Sequence, residues 1–159
     1  GRRSLTGMAN SSVAGYTLGG DNSTGFLNGI DKFAFPADTK TTLSATISTA
    51  VNDLAAFADS GVAGYSGGGA SPTKISAVDK ITFPADTKTT LAATLSTINA
   101  QLAGMADTAV AGYFGGGTSG TRLTTIDRIA FPADTKTTSS ATLSSARTTL
   151  AGFADCGVF

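Results

Sequence analysis

The residues of this sequence that could do chemistry are its aspartates. All eleven acidic residues of the 159-residue chain are aspartate, and the sequence contains no histidine, glutamate or tryptophan. Three aspartates recur with a basic residue directly after them: Asp31, Asp79 and Asp127. Acid–base catalysis needs unlike carboxylates with separated pKa values at one substrate. One identical aspartate per repeat instead indicates a repeated structural hydrogen bond, so we predict a protein that is not an enzyme, with no catalytic residue and no cofactor.

Three further features resemble chemical sites without completing one. Residues 21–25, Asp-Asn-Ser-Thr-Gly, have the oxygen-rich composition of a calcium loop but lack the later bidentate glutamate, so we predict no metal site. Cys156 stands where Ser60 and Thr108 stand in the other repeats, and no histidine is present to activate its thiol. A third set follows Pro-Ala in a turn, where aspartate can bond backbone N–H groups: Asp38, Asp86 and Asp134.

The charge distribution argues against two classes of partner. The formal net charge is zero, and lysine and arginine are spread along the chain, whereas nucleic-acid-binding proteins usually carry a basic patch or stripe. No apolar run approaches the ~18 residues that a membrane-spanning helix needs. We therefore predict no nucleic-acid binding and no membrane insertion.

Internal repeats organise the whole chain. Val-Ala-Gly-Tyr begins at residues 13, 62 and 110, and FPADTKTT begins at Phe35, Phe83 and Phe131. The predicted repeats cover about 13–61, 62–109 and 110–157, and residues 1–12 match the end of a preceding repeat unit. The single extra residue of the first repeat falls between Tyr16 and Phe35, which indicates a loop there, because a strand cannot absorb one residue without exchanging its faces. The sequence stops in the middle of a motif, so we expect further repeats from additional sequence or from another copy.

Each repeat is predicted to form four short strands. In the last strand of the first repeat, apolar residues occupy every second position at Leu43, Ala45 and Ile47, the period of a half-buried strand. Abundant glycine, serine and threonine supply turn residues between the strands. Short strands in a repeat of this length are typical of β-propeller blades.

The repeat unit resembles a kelch repeat. The motifs that carry the resemblance are VAGYFGGG from Val110, IDRIAFPADT from Ile126 and LSSAR from Leu143. The usual tryptophan is missing, and the arginine is present only at Arg2 and Arg147. The resemblance implies an all-β, kelch-like β-propeller with three four-stranded blades and the start of a fourth. It also implies that the small apolar strand is innermost, and that the partial ring is closed by unseen sequence or by oligomerisation. In repeat style the chain is similar to segments of phage tail and fibre proteins.

The segments that differ among the repeats are predicted to lie together on one face of such a propeller. They are the loops between the second and third strands and the returns between repeats. Loops on a rigid scaffold can vary without disturbing the core, so this face is the candidate for recognition, with drift in solvated loops as the alternative. The candidate binding residues are Asp21, Asn22, Thr24, Asn28, Asn52, Lys74, Asn99, Arg122 and Arg147.

Near-identical repeats and the absence of histidine favour a non-enzymatic structural or binding module. We expect a component of an extracellular particle, such as a phage virion tail or fibre, that serves assembly or attachment to a host surface. The expected partners are further copies of the chain, other virion proteins or a cell-surface glycan. The alternatives are an intracellular kelch-type adaptor for protein–protein interaction and a carbohydrate-active enzyme on a propeller scaffold, and the fold alone does not choose among them.

Overall fold

A computed structural model describes residues 1–153 of the chain, and these residues fold into β-strands and turns. Two of the sequence predictions lie outside the described residues: the position of Cys156 and the end of the third repeat at 157. The strands are β1 (Thr6–Asn10), β2 (Ala14–Leu18), β3 (Asp21–Asn22), β4 (Gly25–Phe26), β5 (Gly29–Ala34), β6 (Thr39–Thr46), β7 (Ala55–Asp59), β8 (Ala63–Gly67), β9 (Ala70–Ser71), β10 (Thr73–Lys74), β11 (Val78–Thr82), β12 (Thr87–Thr90), β13 (Ala103–Asp107), β14 (Ala111–Gly115), β15 (Ile126–Ala130) and β16 (Thr135–Thr138).

The strands form three separate four-stranded antiparallel sheets, and the first strand of each sheet comes from the end of the preceding repeat unit. Sheet 1 has the order β1-β2-β5-β6, sheet 2 the order β7-β8-β11-β12, and sheet 3 the order β13-β14-β15-β16. Two small ribbons, β3-β4 and β9-β10, lie in the loops between the second and third strands of sheets 1 and 2. The all-β prediction is confirmed, and three successive sheets are compatible with a blade-repeat fold. Residues 1–153 do not show a closed propeller.

The first strands of the three sheets pack beside one another. Strand β7 lies between β1 and β13, and the backbones come so close that a side-chain carbon added at Gly104 would overlap the backbone of Ala56. Residues of these strands and of the equivalent segment 150–152 line one open cavity of about 300 Å³. The small apolar strands therefore converge on a shared cavity, and their glycine and alanine residues permit this close approach.

The hydrophobic core lies between the sheets. The interface of sheets 1 and 2 buries apolar side chains from both, among them Leu18, Ile30 and Ile81. The interface of sheets 2 and 3 likewise buries apolar side chains from both sheets, among them Phe57, Tyr65 and Ile129. Because side chains alternate along a strand, sheet 2 directs one set of residues to sheet 1 and the other to sheet 3.

The fourth strands are the exposed edges. The threonine and lysine residues of β6, β12 and β16 face solvent for the most part. The turns that lead into these strands all contain a cis Phe-Pro peptide bond, at Pro36, Pro84 and Pro132.

Residues 1–153 contain no helix that is long and apolar enough to cross a membrane.

Candidate functional site

The most specific polar cluster in the molecule joins sheet 1 to sheet 2. Tyr16 of β2 and Lys32 of β5 are cross-strand partners, so their side chains share the face of sheet 1 that meets sheet 2. The Lys32 Nζ lies 5.6 Å from the centre of the Tyr16 ring. Both side chains reach Asp86 in the turn after Pro84: the Tyr16 hydroxyl donates to Oδ1 at 2.8 Å, and the Lys32 ammonium donates to Oδ2 at 2.6 Å. We call this three-residue unit the Tyr–Lys–Asp clasp.

The same clasp recurs between sheets 2 and 3. The Tyr65 hydroxyl donates to Asp134 Oδ1 at 2.7 Å, and Lys80 Nζ donates to Asp134 Oδ2 at 2.7 Å. An aromatic contact accompanies each clasp, since Tyr16 stacks on Phe83 at 5.1 Å and Tyr65 on Phe131 at 5.2 Å between ring centres. The FPAD part of each FPADTKTT segment in sheets 2 and 3 thus presents a phenylalanine and an aspartate to the tyrosine of the preceding sheet, and the TKTT part forms the fourth strand.

The environment of the clasp keeps its tyrosine protonated. Burial, together with the hydrogen bond to Asp86, raises the pKa of Tyr16 to about 12. Burial, together with the hydrogen bond to Asp134, also raises the pKa of Tyr65. The hydrogen bond to Asp86 also raises the pKa of Lys32. A tyrosine held neutral beside a charged lysine is suited to hold two sheets together and poorly suited to act as a base near neutral pH.

The aspartates before the clasp lysines make a second set of contacts between sheets. Asp79 accepts bonds at Oδ2 from the backbone N–H and the hydroxyl of Ser48, which belongs to the return from sheet 1. Asp127 accepts the same pair of bonds from Ser96. The predicted repeated hydrogen bond of these aspartates is therefore present, and it connects neighbouring repeats.

Asp31, the equivalent residue of sheet 1, has a different partner. The Arg2 guanidinium donates to Asp31 Oδ2 at 3.0 Å and also to the carbonyls of Gly19 and Gly29, both at 2.5 Å. The Thr42 hydroxyl donates to Oδ1 at 2.6 Å. These contacts, the Thr42 bond first among them, hold the pKa of the Asp31 carboxyl below its usual value.

The candidate binding residues of the first varied loop lie at one edge of sheet 1. Asp21 is buried, accepts a bond from Arg3 at 2.7 Å and contacts the Asn52 amide at 3.2 Å. The hydrogen bond from Arg3 is the largest cause that lowers the pKa of Asp21. Arg3, Asp21 and neighbouring residues border an open depression of about 370 Å³. The contact between Asp21 and Asn52 joins predicted binding residues of two different varied segments.

The other residues of that loop serve the loop itself or face solvent. The Asn22 side-chain oxygen accepts bonds from the backbone N–H of Thr24 and Gly25 and from the Thr24 hydroxyl, so it organises the β3-β4 turn. Asn28 is exposed, and its backbone carbonyl accepts a bond from Ile47. No three acidic, histidine or cysteine side chains within residues 1–153 come together as metal ligands would.

The remaining candidates follow the returns between sheets. Asn99 is buried, donates to the Gly116 carbonyl at 2.7 Å and leaves its side-chain oxygen without a hydrogen-bond partner. Lys74 is half-buried in β10, and Arg122 is exposed. Arg147 is exposed and bonds Ser145, while its backbone pairs with Leu123, next to Arg122. The varied segments therefore adjoin through backbone pairing, and their exposed side chains do not form one enclosed pocket.

Sequence reasoning missed the clasp. The notable signal is the separation of its members: Lys32 and Asp86 are 54 residues apart, and so are Lys80 and Asp134. This constant separation exceeds one repeat, which is the pattern of a contact between successive repeats. The sequence indicated a structural role for the turn aspartates and noted that they can bond backbone N–H groups, and it did not identify the tyrosine and lysine side chains that bond Asp86 and Asp134.

Comparison with protein-family models and with curated proteins finds no family model and no curated protein that matches the chain. Function is therefore inferred from the repeated contacts described above.

Proposed function

We propose that this chain is a non-enzymatic structural and binding module of an extracellular particle, such as the tail or fibre of a phage virion. The observation that carries the proposal is the use of the charged and phenolic side chains. Asp79, Asp86, Asp127 and Asp134 each bond the preceding repeat. A carboxylate set committed to joining repeats favours a scaffold over a catalytic site.

The repeated interface supports a role in assembly. Sheets 1 and 2 use the same contacts toward the sheet that follows, which is the principle by which repeat proteins build extended structures from nearest-neighbour interfaces. Threonine-rich outer strands with interspersed lysines leave a polar surface on the outside. Such a scaffold can present its variable loops to a partner without a change in the core.

The protein composition of purified virions tests whether this chain is a component of such a particle. We expect peptides of this chain in density-gradient-purified particles, at a constant ratio to the major capsid protein and retained after a wash in high salt. Recovery of the chain only from the soluble fraction of the producing cells would contradict the proposal.

Attachment through the varied face has a separate test. Arg122 is exposed in a varied loop, and Lys40 is exposed on the invariant FPADTKTT segment. We expect Arg122→Ser, combined with Lys74→Ser, to weaken adsorption of the purified chain to host cells or to their surface glycans, while Lys40→Ser leaves it unchanged. The reverse pattern would place recognition on the invariant turns.

A further inference from the structure

Sheet 1 and sheet 3 each have one face that no other sheet covers within residues 1–153. We call the face of sheet 1 directed away from sheet 2 the leading flank, and the face of sheet 3 directed away from sheet 2 the trailing flank. The leading flank carries Phe33 and Phe35, which are 37% and 44% exposed, whereas the equivalent Ile81 and Phe83 of sheet 2 are 0% and 8% exposed. Apolar side chains that are buried at the interface of sheets 1 and 2 thus have exposed equivalents on this flank.

The trailing flank shows the complementary set. Tyr113 and Arg128 are cross-strand partners, as Tyr65 and Lys80 are in sheet 2. They therefore occupy the positions of a clasp tyrosine and a clasp cation on the face directed away from sheet 2. Met105, opposite Tyr113 in the register, is 38% exposed, whereas its equivalent Phe57 is 2% exposed.

The missing member of that clasp is present at the other end of the array. Asp38 is the first-repeat equivalent of Asp86 and Asp134, adopts the same backbone conformation with φ of 53° against 56° and 55°, and is exposed. No tyrosine or lysine of residues 1–153 bonds its carboxylate. The leading flank therefore offers a carboxylate and two phenylalanines, and the trailing flank offers a phenol, a guanidinium and a methionine.

The interface of sheets 1 and 2 and the interface of sheets 2 and 3, which we call the inner junctions, show how such flanks fit. Met8 lies against Gly64 while Tyr16 stacks on Phe83, and Phe57 lies against Gly112 while Tyr65 stacks on Phe131. In each case a tyrosine and a cation of one sheet meet the turn aspartate of the next. Tyr113, Arg128 and Met105 match the first side of this contact, and Phe35, Asp38 and Gly15 match the second.

We propose that the trailing flank of one copy of the chain binds the leading flank of a second copy, with Tyr113 and Arg128 of one copy on Asp38 of the other. This inference rests on the proposed role as an assembling module and names its partner. The contact is head-to-tail, so it closes into a ring or continues as a filament according to the rotation between copies. Opposite charge at Arg128 and Asp38 fixes the direction of assembly and disfavours contact between like flanks.

One segment must give way when the junction forms. Residues 147–153 are equivalent in sequence to residues 2–8, and both segments contribute residues to the cavity on which the first strands converge. Arg2 is held by three bonds to sheet 1, whereas residues 144–153 are largely exposed. Residues 2–8 of the incoming copy therefore keep their place, and residues 147–153 of the receiving copy move aside.

A charge-exchange experiment tests the junction. Asp38→Lys places two cations at the contact, and Arg128→Asp places two carboxylates there. We expect the wild-type chain to associate in sedimentation velocity, and each variant alone to associate at least about tenfold more weakly, because like charges face each other across the junction. Mixing the two variants pairs Arg128 with Asp38 at one junction and the exchanged residues at the other, so we expect association to return.

The control variant is Thr73→Asp, which adds a charge to an exposed loop of sheet 2, the sheet that carries neither flank, and we expect it to associate like the wild type. Circular dichroism establishes that each variant is folded, and Asp38→Asn replaces Asp38→Lys if the lysine variant is not. A monomeric wild-type chain, unaltered association of both single variants, or a mixture that stays monomeric would each overturn the junction. Association by this junction in a chain that is absent from purified virions would instead overturn the proposed function alone.

Discussion

Replacing the clasp aspartate Asp86 by alanine is the sharpest test of how the sheets are held together. The substitution removes the acceptor of the Tyr16 hydroxyl and the counter-ion of Lys32. Tyr16 is only 2% exposed, so its buried hydroxyl is left without the acceptor that it has in the wild type. Lys32 has a side chain that is 22% exposed, so its charge is partly desolvated when the carboxylate is removed.

The expected cost follows from these two losses. An unsatisfied buried hydroxyl costs about 1–3 kcal/mol. Loss of a partly buried ion pair adds about 1 kcal/mol, since the measured range for pairs with access to solvent reaches that value. We therefore expect Asp86→Ala to lower the free energy of unfolding by about 2–4 kcal/mol.

Asp38→Ala is the matched control, because the two residues share the sequence FPADTKTT and the same left-handed backbone conformation. The conformational cost of alanine at positive φ is common to both variants and cancels in the comparison. Urea unfolding is measured at a protein concentration at which the chain is monomeric. Equal losses for Asp86→Ala and Asp38→Ala, within about 0.5 kcal/mol, would refute the reasoning, since non-contacting surface changes fall within that range.

Two further predictions concern the same interfaces. The pKa of Tyr16 is raised to about 12 and that of Lys32 is raised as well, so their stabilising contribution is complete below about pH 10, the unperturbed range of both groups, and is lost as the pH rises toward 12. Urea unfolding measured across this pH range should show the loss. Tyr16→Phe should make the free energy of unfolding depend less on pH, and an identical pH dependence in both proteins would contradict the prediction. Gly112→Ala should destabilise the chain by about 1–3 kcal/mol, because the added carbon overlaps the buried Phe57 ring. Gly15→Ala is the control, because its nearest neighbour is a ring on the exposed leading flank at 3.3 Å, and equal losses would contradict the packing argument.

The strands and their grouping could be predicted from the sequence because both depend on local signals. Alternating apolar residues and recurrent turn motifs place four strands in each repeat, and the structure has three four-stranded sheets. The extra residue of the first repeat lies in the stretch that holds the β3-β4 ribbon, and the pairing of Tyr16 with Lys32 matches that of Tyr65 with Lys80. A loop absorbs the insertion, so the register of the sheet is retained.

The partners of the polar side chains could not be predicted in the same way, because they lie in neighbouring repeats. Asp86 stands in a turn whose local sequence allows a bond to its own backbone, yet its carboxylate binds residues 70 and 54 positions earlier. Which interaction forms depends on how closely successive sheets pack. That distance is set by glycines such as Gly64 and Gly112, which leave room for Met8 and Phe57 of the preceding sheet.

The pair of an aspartate and a following basic residue, Asp-Lys in two repeats and Asp-Arg in the third, shows how a short motif can direct a whole array. Adjacent residues of a strand point to opposite faces of the sheet, so Asp79 and Lys80 cannot serve one another as a clasp. Asp79 instead accepts Ser48 from the preceding repeat, and Lys80 donates to Asp134 of the following repeat. The dipeptide of sheet 2 therefore directs an aspartate toward the preceding sheet and a cation toward the following sheet. An array with that polarity is extended correctly by another unit of the same orientation, which is why the flanks of sheets 1 and 3 are complementary to each other.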